Sequence, residues 1–186
     1  MIFNKHNNLE GKHAFLSASQ YHWIRYDVEK LKTVYLKHLA VERGTKLHEL
    51  AKTLIELGQK LPEDGSTLSM YVNDAIDFKM TPEQVLYYSD NCFGTTDAIC
   101  YRRKKLRIHD LKTGANPAHM EQLKIYAALF CLEYKVKPSQ TSFELRIYQS
   151  NDILVLNPES SEIEAIMEKI VSSDKVLTKI NVELEK

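Results

Sequence analysis

Residues 94–126 read GTTDAICYRRKKLRIHDLKTGANPAHMEQLKIY, and this stretch decides the fold. It holds two short apolar runs with strand character, residues 95–99 and 106–111. Each run contains one aspartate, Asp97 in the first and Asp110 in the second. Four consecutive basic residues separate the runs: Arg102, Arg103, Lys104 and Lys105. They are too polar for a core and favour a hairpin turn, so the sequence predicts two neighbouring strands that each carry a carboxylate.

A lysine and a following helix complete this unit. Lys112 comes two positions after Asp110, so the two side chains leave an extended strand on the same face. The break at residues 113–117, which contains Gly and Pro, ends the strand and precedes a helix. On that helix Gln122 and Tyr126 are four residues apart and share a face. The pattern therefore predicts a site made of two carboxylates, one ammonium, one amide and one phenol.

The rest of the chain predicts helices and two further strands around this unit. Helical spacing of apolar residues is found at residues 20–39, with a split near Asp27, and at 41–57, 67–79, 118–134 and 158–179. Strand patterns are found at residues 85–88, 95–99, 106–111, 143–148 and 153–156. The order after the N-terminal helices is helix, three strands, helix, two strands, helix. It predicts one mixed sheet with helices on its faces.

Length and composition indicate one soluble globular domain. The 186 residues are enough for one well-buried core and too few for two, so we expect a single domain over residues 1–186. Within it, residues 1–12 are predicted to be a disordered lead-in, and residues 158–181 a closing helix. No apolar run approaches the roughly 20 residues that span a bilayer, and the N-terminus lacks the apolar core of a secretory signal. We therefore expect an intracellular protein without a membrane partner.

Three cysteines, Cys92, Cys100 and Cys131, are consistent with a reducing compartment. Their spacing matches no zinc or iron–sulfur pattern. The formal net charge is zero, which argues against broad, non-specific coating of nucleic acid. Residues 101–112 nevertheless hold six basic residues against one acid, so a local basic footprint is present. The basic turn at its centre is interpreted either as a solvated hairpin tip or as a contact to DNA phosphates.

The chemistry of the predicted site points to phosphodiester hydrolysis. Aspartates with an open approach route suit a hard cation such as Mg²⁺ or Mn²⁺. A lysine in reach of the reacting water can orient or deprotonate it, and can stabilise negative charge at phosphorus. Acyl transfer is disfavoured because no serine or cysteine of the stretch has a base beside it, and the sequence has no GxxxxGK[ST] or GxGxxG phosphate loop. A lone Asp-x-Lys is common as a surface ion pair, so the prediction depends on the order of all the elements together.

Four motifs follow one another along the chain. They are Gly44-Thr45-Lys46-Leu47-His48, Gly94-Thr95-Thr96-Asp97, Asp110-Leu111-Lys112 and Gln122-Leu123-Lys124-Ile125-Tyr126. The first is on a predicted helix, the next two are on predicted strands, and the last is on the helix that follows. Together with Phe15-Leu16-Ser17-Ala18-Ser19 and Trp23, they resemble the PD-(D/E)xK nuclease superfamily, and specifically its RecB-like exonuclease branch. The resemblance covers roughly residues 13–150.

The resemblance implies an α/β fold with a restriction-endonuclease-like core. In that core a central mixed β-sheet is flanked by helices in the order αβββαβ, preceded here by N-terminal helices. It implies three catalytic residues: Asp97, Asp110 and Lys112. It also implies a Mg²⁺ or Mn²⁺ ion bound by His48, Asp97, Asp110 and the backbone carbonyl of Leu111. Lys112 would position or activate the attacking water, and Gln122 and Tyr126 would hold the DNA strand or the metal-bound water near the scissile phosphate.

The implied function is a divalent-metal-dependent DNA exonuclease of recombination or repair, and the compact size suits a phage or mobile-element nuclease. Some relatives bind an iron–sulfur cluster through four cysteines; this chain has three, so no cluster is expected. No helicase region is attached, so the protein is expected to act alone, as a homo-oligomer, or with a separately encoded recombination partner. Three alternatives stay open: a structure-selective or nicking endonuclease with the same site, a catalytically silent DNA-binding module, and a non-catalytic subunit of a recombinase complex.

Overall fold

The structure is a computed structural model that describes residues 1, 3–114 and 116–184. It divides into two compact units, residues 1–45 and 46–186. The first unit contains two 3₁₀ segments, Asn7–Leu9 and Ala18–Arg25, and the start of helix α1 (Val28–Leu57). Inside this unit the Trp23 indole donates a hydrogen bond to the carbonyl of Ser17 at 2.9 Å.

The split predicted near Asp27 is confirmed, but the break predicted between residues 39 and 41 is absent. Residues 18–25 form a 3₁₀ segment, and the α-helix then runs without interruption from Val28 to Leu57. It begins where Asp27 accepts a hydrogen bond from the backbone N–H of Lys30 at 2.7 Å, which is a typical N-cap contact. The prediction of two helices was wrong because no proline separates them, and one interior glycine costs a helix only about 1 kcal/mol.

The second unit is built on a five-stranded sheet. Its strands are β1 (Thr81–Ser89), β2 (Cys92–Arg102), β3 (Lys105–Leu111), β4 (Ser142–Gln149) and β5 (Asp152–Leu156). They lie in the order β1-β2-β3-β4-β5, with β3 and β4 parallel and the other neighbours antiparallel. The remaining helices are α2 (Thr67–Asp77), α3 (Glu121–Glu133) and α4 (Ser160–Leu184). Helix α3 makes the crossover that a parallel pair requires.

The predicted α/β class is confirmed at this level: a mixed sheet carries helices on both faces. One face packs on α3 and α4 through an apolar cluster that includes Ile108 of β3, Leu145 of β4 and Leu129 of α3. The other face packs on α2 and the last turns of α1 through a second cluster that includes Val72 and Leu54. Among the described residues, no helix has both the length and the hydropathy needed to cross a membrane.

The basic turn between β2 and β3 is a two-residue hairpin turn. Arg103 and Lys104 both have positive φ, 50° and 61°, as a type I′ turn requires. The pairing of Arg102 with Lys105 closes the turn. The hairpin that the sequence predicts at this point is therefore present, and its position fixes the register of the two strands that carry the aspartates.

A buried ionic network stabilises the parallel pair β3–β4 on the α2 side of the sheet. Glu144 of β4 is 8% exposed and accepts hydrogen bonds from Lys105 at 2.6 Å and from Arg107 at 3.0 Å. The Arg146 guanidinium lies 3.0 Å from Glu144 and donates to Asp74 of α2 at 2.7 Å. Each cation of the network thus has a carboxylate partner, which is the condition for tolerating charge in a protein interior.

We expect replacement of Glu144 by Gln to lower the free energy of unfolding by about 2 kcal/mol at pH 7. Burial raises the pKa of Glu144, but the Lys105 hydrogen bond and the charges of Arg146 and Arg107 outweigh burial and lower the pKa from 4.5 to about 2. Because the folded pKa lies below the unfolded value, this stabilisation is complete above about pH 4.5 and is lost as the pH falls toward 2.

Urea unfolding of wild type and Glu144→Gln between pH 2 and pH 7 measures this difference. The two curves should converge at the acid end. Glu63→Gln, in an exposed loop, is the matched control and should follow wild type throughout. A constant difference between wild type and Glu144→Gln across the pH range would show that the Glu144 charge does not stabilise the fold.

Candidate metal and catalytic site

The β2–β3 register places the two predicted aspartates opposite each other. Ala98 pairs with His109, so the preceding residue of β2, Asp97, faces the following residue of β3, Asp110. Side chains of directly opposed residues lie about 5 Å apart at Cβ, and like charges there repel. The structure therefore brings together the two carboxylates that the sequence singled out.

A β-bulge adds a third carboxylate to this row. Strand β1 pairs Tyr87 with Phe93, but the next pair toward the turn is Ser89 with Cys92, so the register shifts by one residue. Beyond the shift, Glu83 lies opposite Asp97, between two regular pairs of β1 and β2. Glu83, Asp97 and Asp110 thus form a row across three adjacent strands, which we call the carboxylate row.

Sequence reasoning missed Glu83, because the strand was predicted over residues 85–88 whereas β1 begins at Thr81. An unbulged hairpin that kept the Ser89–Cys92 register would place Gln84 opposite Asp97. The residue types gave no sign of the bulge, whose extra residue is Tyr88 within an apolar strand. One further signal is visible only in the structure: Glu83 has a φ of 49°, in the left-handed region that non-glycine residues seldom occupy within a strand.

His48 of α1 reaches the carboxylate row, as the resemblance implied. Its Nδ1 lies 3.5 Å from Oδ2 of Asp97. One ligand atom each of His48, Glu83 and Asp97 can be chosen so that all three lie within 4.8 Å of one another. Each of these three residues is partly buried. An imidazole and carboxylate oxygens at such separations could hold a metal ion.

Asp97 is held in place by a hydrogen bond, and its surroundings destabilise its ionised form. Its Oδ2 accepts a hydrogen bond of 2.7 Å from the backbone N–H of Leu111, at the end of β3. Burial is the largest cause that raises the pKa of Asp97 above its usual range, and the charge of Asp110 raises it further. His48 and the Leu111 N–H act in the opposite direction. A carboxylate that is buried beside another carboxylate is the kind of group that a bound cation stabilises.

The other predicted residues form one hydrogen-bonded chain that begins at Asp110. The Lys112 ammonium donates to Oδ1 of Asp110 and to Oε1 of Gln122, both at 3.1 Å. The Gln122 amide in turn donates to the Tyr126 hydroxyl at 3.0 Å. The predicted lysine, amide and phenol are therefore brought together, and α3 supplies two of the three.

Lys112 contacts both oxygens of Asp110. Asp110 is 3% exposed, and the Lys112 ammonium lies 3.1 Å from its Oδ1 and 3.0 Å from its Oδ2. The lysine therefore offsets the charge of this buried carboxylate, as a buried charge requires.

The basic turn lies at the far end of the same hairpin. Arg102 lies five positions after Asp97 on β2, which is roughly 17 Å along the strand. Arg103 and Lys104 are exposed at the tip, and the Arg102 guanidinium lies 3.5 Å from the carbonyl of Lys79. The fourth predicted DNA contact, Lys105, is already engaged by Glu144 at 2.6 Å. Arg103 and Lys104 are therefore the members of the basic turn whose placement best suits a contact with DNA, remote from the carboxylate row.

Comparison with known proteins gave no match: no protein-family model and no curated protein matches the sequence, and no solved structure matches the fold. The function is therefore inferred from the geometry of this site and from the motifs in the sequence.

Gly94 is required by the position of Tyr126. A Cβ added to Gly94 would lie 2.9 Å from Cε1 of Tyr126, closer than carbon atoms approach in folded proteins. We expect Gly94→Ala to push the Tyr126 ring away from Gln122 and to lower the free energy of unfolding by about 1–2 kcal/mol. Urea unfolding measures this change, and Gly114→Ala, with no atom within 4 Å of its added Cβ, is the matched control.

A double-mutant cycle identifies the cause. The cost of Gly94→Ala should disappear when Tyr126 is already Ala, because the clash partner is then gone. If Gly94→Ala costs the same in both backgrounds, contact with the Tyr126 ring does not explain the glycine.

Proposed function

We propose that this protein is a divalent-metal-dependent DNA nuclease that hydrolyses phosphodiester bonds and acts as an exonuclease in recombination or repair. The observation that carries the proposal is the register of Asp97 with Asp110, combined with the hydrogen bond from Lys112 to Asp110. Two opposed carboxylates and a lysine at one strand end are the groups that the chemistry requires. The resemblance of the motifs that contain these same residues also supports the proposal.

The fold is compatible with this proposal. Strands β1, β2 and β3 form an antiparallel meander, and α3 then leads to β4, which lies parallel to β3. With a helix before β1, this order is compatible with the αβββαβ order of a restriction-endonuclease-like core. The proposed core contains every residue of the carboxylate row and the helix that carries Gln122 and Tyr126.

The residues present fit a Mg²⁺ or Mn²⁺ ion. The resemblance implies that His48, Asp97, Asp110 and the backbone carbonyl of Leu111 would hold it. His48 and Asp97 have ligand atoms within 4.8 Å of each other, which supports their part of this set. When bound, such an ion activates a water molecule and polarises the phosphoryl oxygen.

The chain's own residues would then position the substrate and the water. Lys112, held between Asp110 and Gln122, would orient the attacking water and stabilise negative charge at the phosphate. Gln122 and Tyr126 would hold the DNA strand. A cavity of about 350 Å³ opens beside Lys112 and Gln122. Gln149 lines the cavity, and its amide donates to the carbonyl of Gly114 at 2.6 Å.

We expect Asp110→Asn and Lys112→Ala each to lower the rate of DNA hydrolysis at least about 100-fold, because each removes a group that acts on the reacting phosphate or water. Release of nucleotides from end-labelled linear DNA, with Mn²⁺, Mg²⁺ or EDTA, measures the rate. Activity should require the metal. Asp77→Asn and Lys60→Ala remove an exposed ion pair of 2.6 Å and are the matched controls. A metal-independent activity, or full activity in both site variants, would contradict the proposal.

The same assay on closed circular DNA separates the two modes of cleavage. An exonuclease leaves closed circles intact, whereas the structure-selective or nicking endonuclease cuts them. If wild type binds DNA but hydrolyses neither form with any metal, the catalytically silent binding module is the correct interpretation.

The basic turn should contribute to DNA affinity and not to the chemical step. We expect the double variant Arg103→Ala/Lys104→Ala to bind DNA more weakly. The slope of log affinity against log salt concentration should be shallower by about 2, since each phosphate contact contributes about 0.9 to that slope. The maximal rate at saturating DNA should stay unchanged, because the turn is remote from the carboxylate row. Lys175→Ala/Lys179→Ala on the exposed part of α4 is the control. An unchanged salt dependence in the turn variant would show that the turn is a solvated hairpin tip.

A further inference from the structure

We propose that Glu83 is a ligand of the divalent cation and completes, with His48 and Asp97, a binding position to which β1, β2 and α1 each contribute one side chain. This inference rests on the proposed metal-dependent function and extends it. The ligand set implied by the motifs draws on α1, β2 and β3 alone, and it leaves β1 without a role.

The first support is distance. Among the described residues, the set of three metal-binding side chains whose ligand atoms lie within 4.8 Å of one another is His48, Glu83 and Asp97. Asp110 is not a member of this set. The structure thus assigns Glu83 to the position beside His48 that the motifs assign to the second aspartate.

The second support is the backbone. Glu83 has a φ of 49° inside β1, and the left-handed region is unfavourable for any residue with a Cβ. No hydrogen bond or ion pair with the described part of the chain accounts for this conformation. Backbone strain of this kind is retained at functional sites when the side chain is needed there.

The third support is charge. The carboxylate row places Glu83 and Asp110 on either side of Asp97, and like charges opposite each other on neighbouring strands repel. Among the described residues, Lys112 pairs with Asp110, whereas no lysine or arginine pairs with Asp97 or Glu83. A cation in contact with the row would relieve the repulsion, and a purely structural role for Glu83 would not.

Mn²⁺ binding, followed by isothermal titration calorimetry, tests the assignment without any need for nuclease activity. We expect Glu83→Gln to weaken Mn²⁺ binding at least 10-fold relative to wild type. Its melting temperature without metal should equal or exceed that of wild type, because a repelling charge has been removed. Glu63→Gln, which removes a carboxylate from an exposed loop, should bind Mn²⁺ as wild type does.

Two substitutions by glycine distinguish metal ligation from relief of backbone strain. Glu83→Gly and Lys79→Gly both relax a residue of positive φ, 49° and 53°, so neither should lower the melting temperature without metal. Only Glu83→Gly should weaken Mn²⁺ binding. Equal Mn²⁺ affinity in wild type, Glu83→Gln and Glu83→Gly would overturn the assignment. A lower melting temperature of metal-free Glu83→Gln would also overturn it, since Glu83 would then be structural.

The result for wild type distinguishes this inference from the proposed function. If wild type binds no Mn²⁺, both are overturned. If wild type binds Mn²⁺ and hydrolyses DNA while Glu83→Gln is unchanged in both properties, the proposed function stands and the assignment of Glu83 fails.

Discussion

Electrostatic repulsion within the carboxylate row is the constraint on which the rest of the site depends. Three acidic side chains are held opposite one another on β1, β2 and β3, where the sheet register prevents them from separating. A type I′ turn fixes one register and a β-bulge fixes the other. The Leu111 N–H and the Lys112 ammonium each engage one carboxylate, and these two contacts leave the row with excess negative charge. A divalent cation is the partner that such an arrangement favours.

The scaffold around the row explains how it can be held so closely. The strands are fixed between two apolar clusters, and the ionic network around Glu144 joins β3 to β4 on the side of α2. Helix α3 packs against β2 where the Tyr126 ring lies close to Gly94. Gln122 of the same helix accepts a hydrogen bond from Lys112. Rigid elements therefore position each functional side chain, as precise chemistry requires.

Much of this site could be predicted from the sequence because its register is set locally. Once the turn is placed at Arg103–Lys104, a regular hairpin must oppose Asp97 to Asp110, and helical spacing must pair Gln122 with Tyr126. Glu83 was not predicted, since the strand predicted over residues 85–88 begins after it and no residue type marks the bulge that sets its register. The continuity of α1 was also missed. Its two apolar segments were interpreted as two helices, although no proline lies between them. Local sequence patterns therefore predicted the helices and strands of the site, whereas tertiary packing determined the features that were missed.

The most direct test of the account is to locate the cation. Crystals grown with Mn²⁺ can be measured at a wavelength where manganese scatters anomalously, and the anomalous difference map shows the ion's position without any assumption about activity. The account predicts a peak in contact with Asp97 and between His48 and the carboxylate row. A map with no peak at the row, under conditions where manganese is bound elsewhere on the molecule, would contradict it.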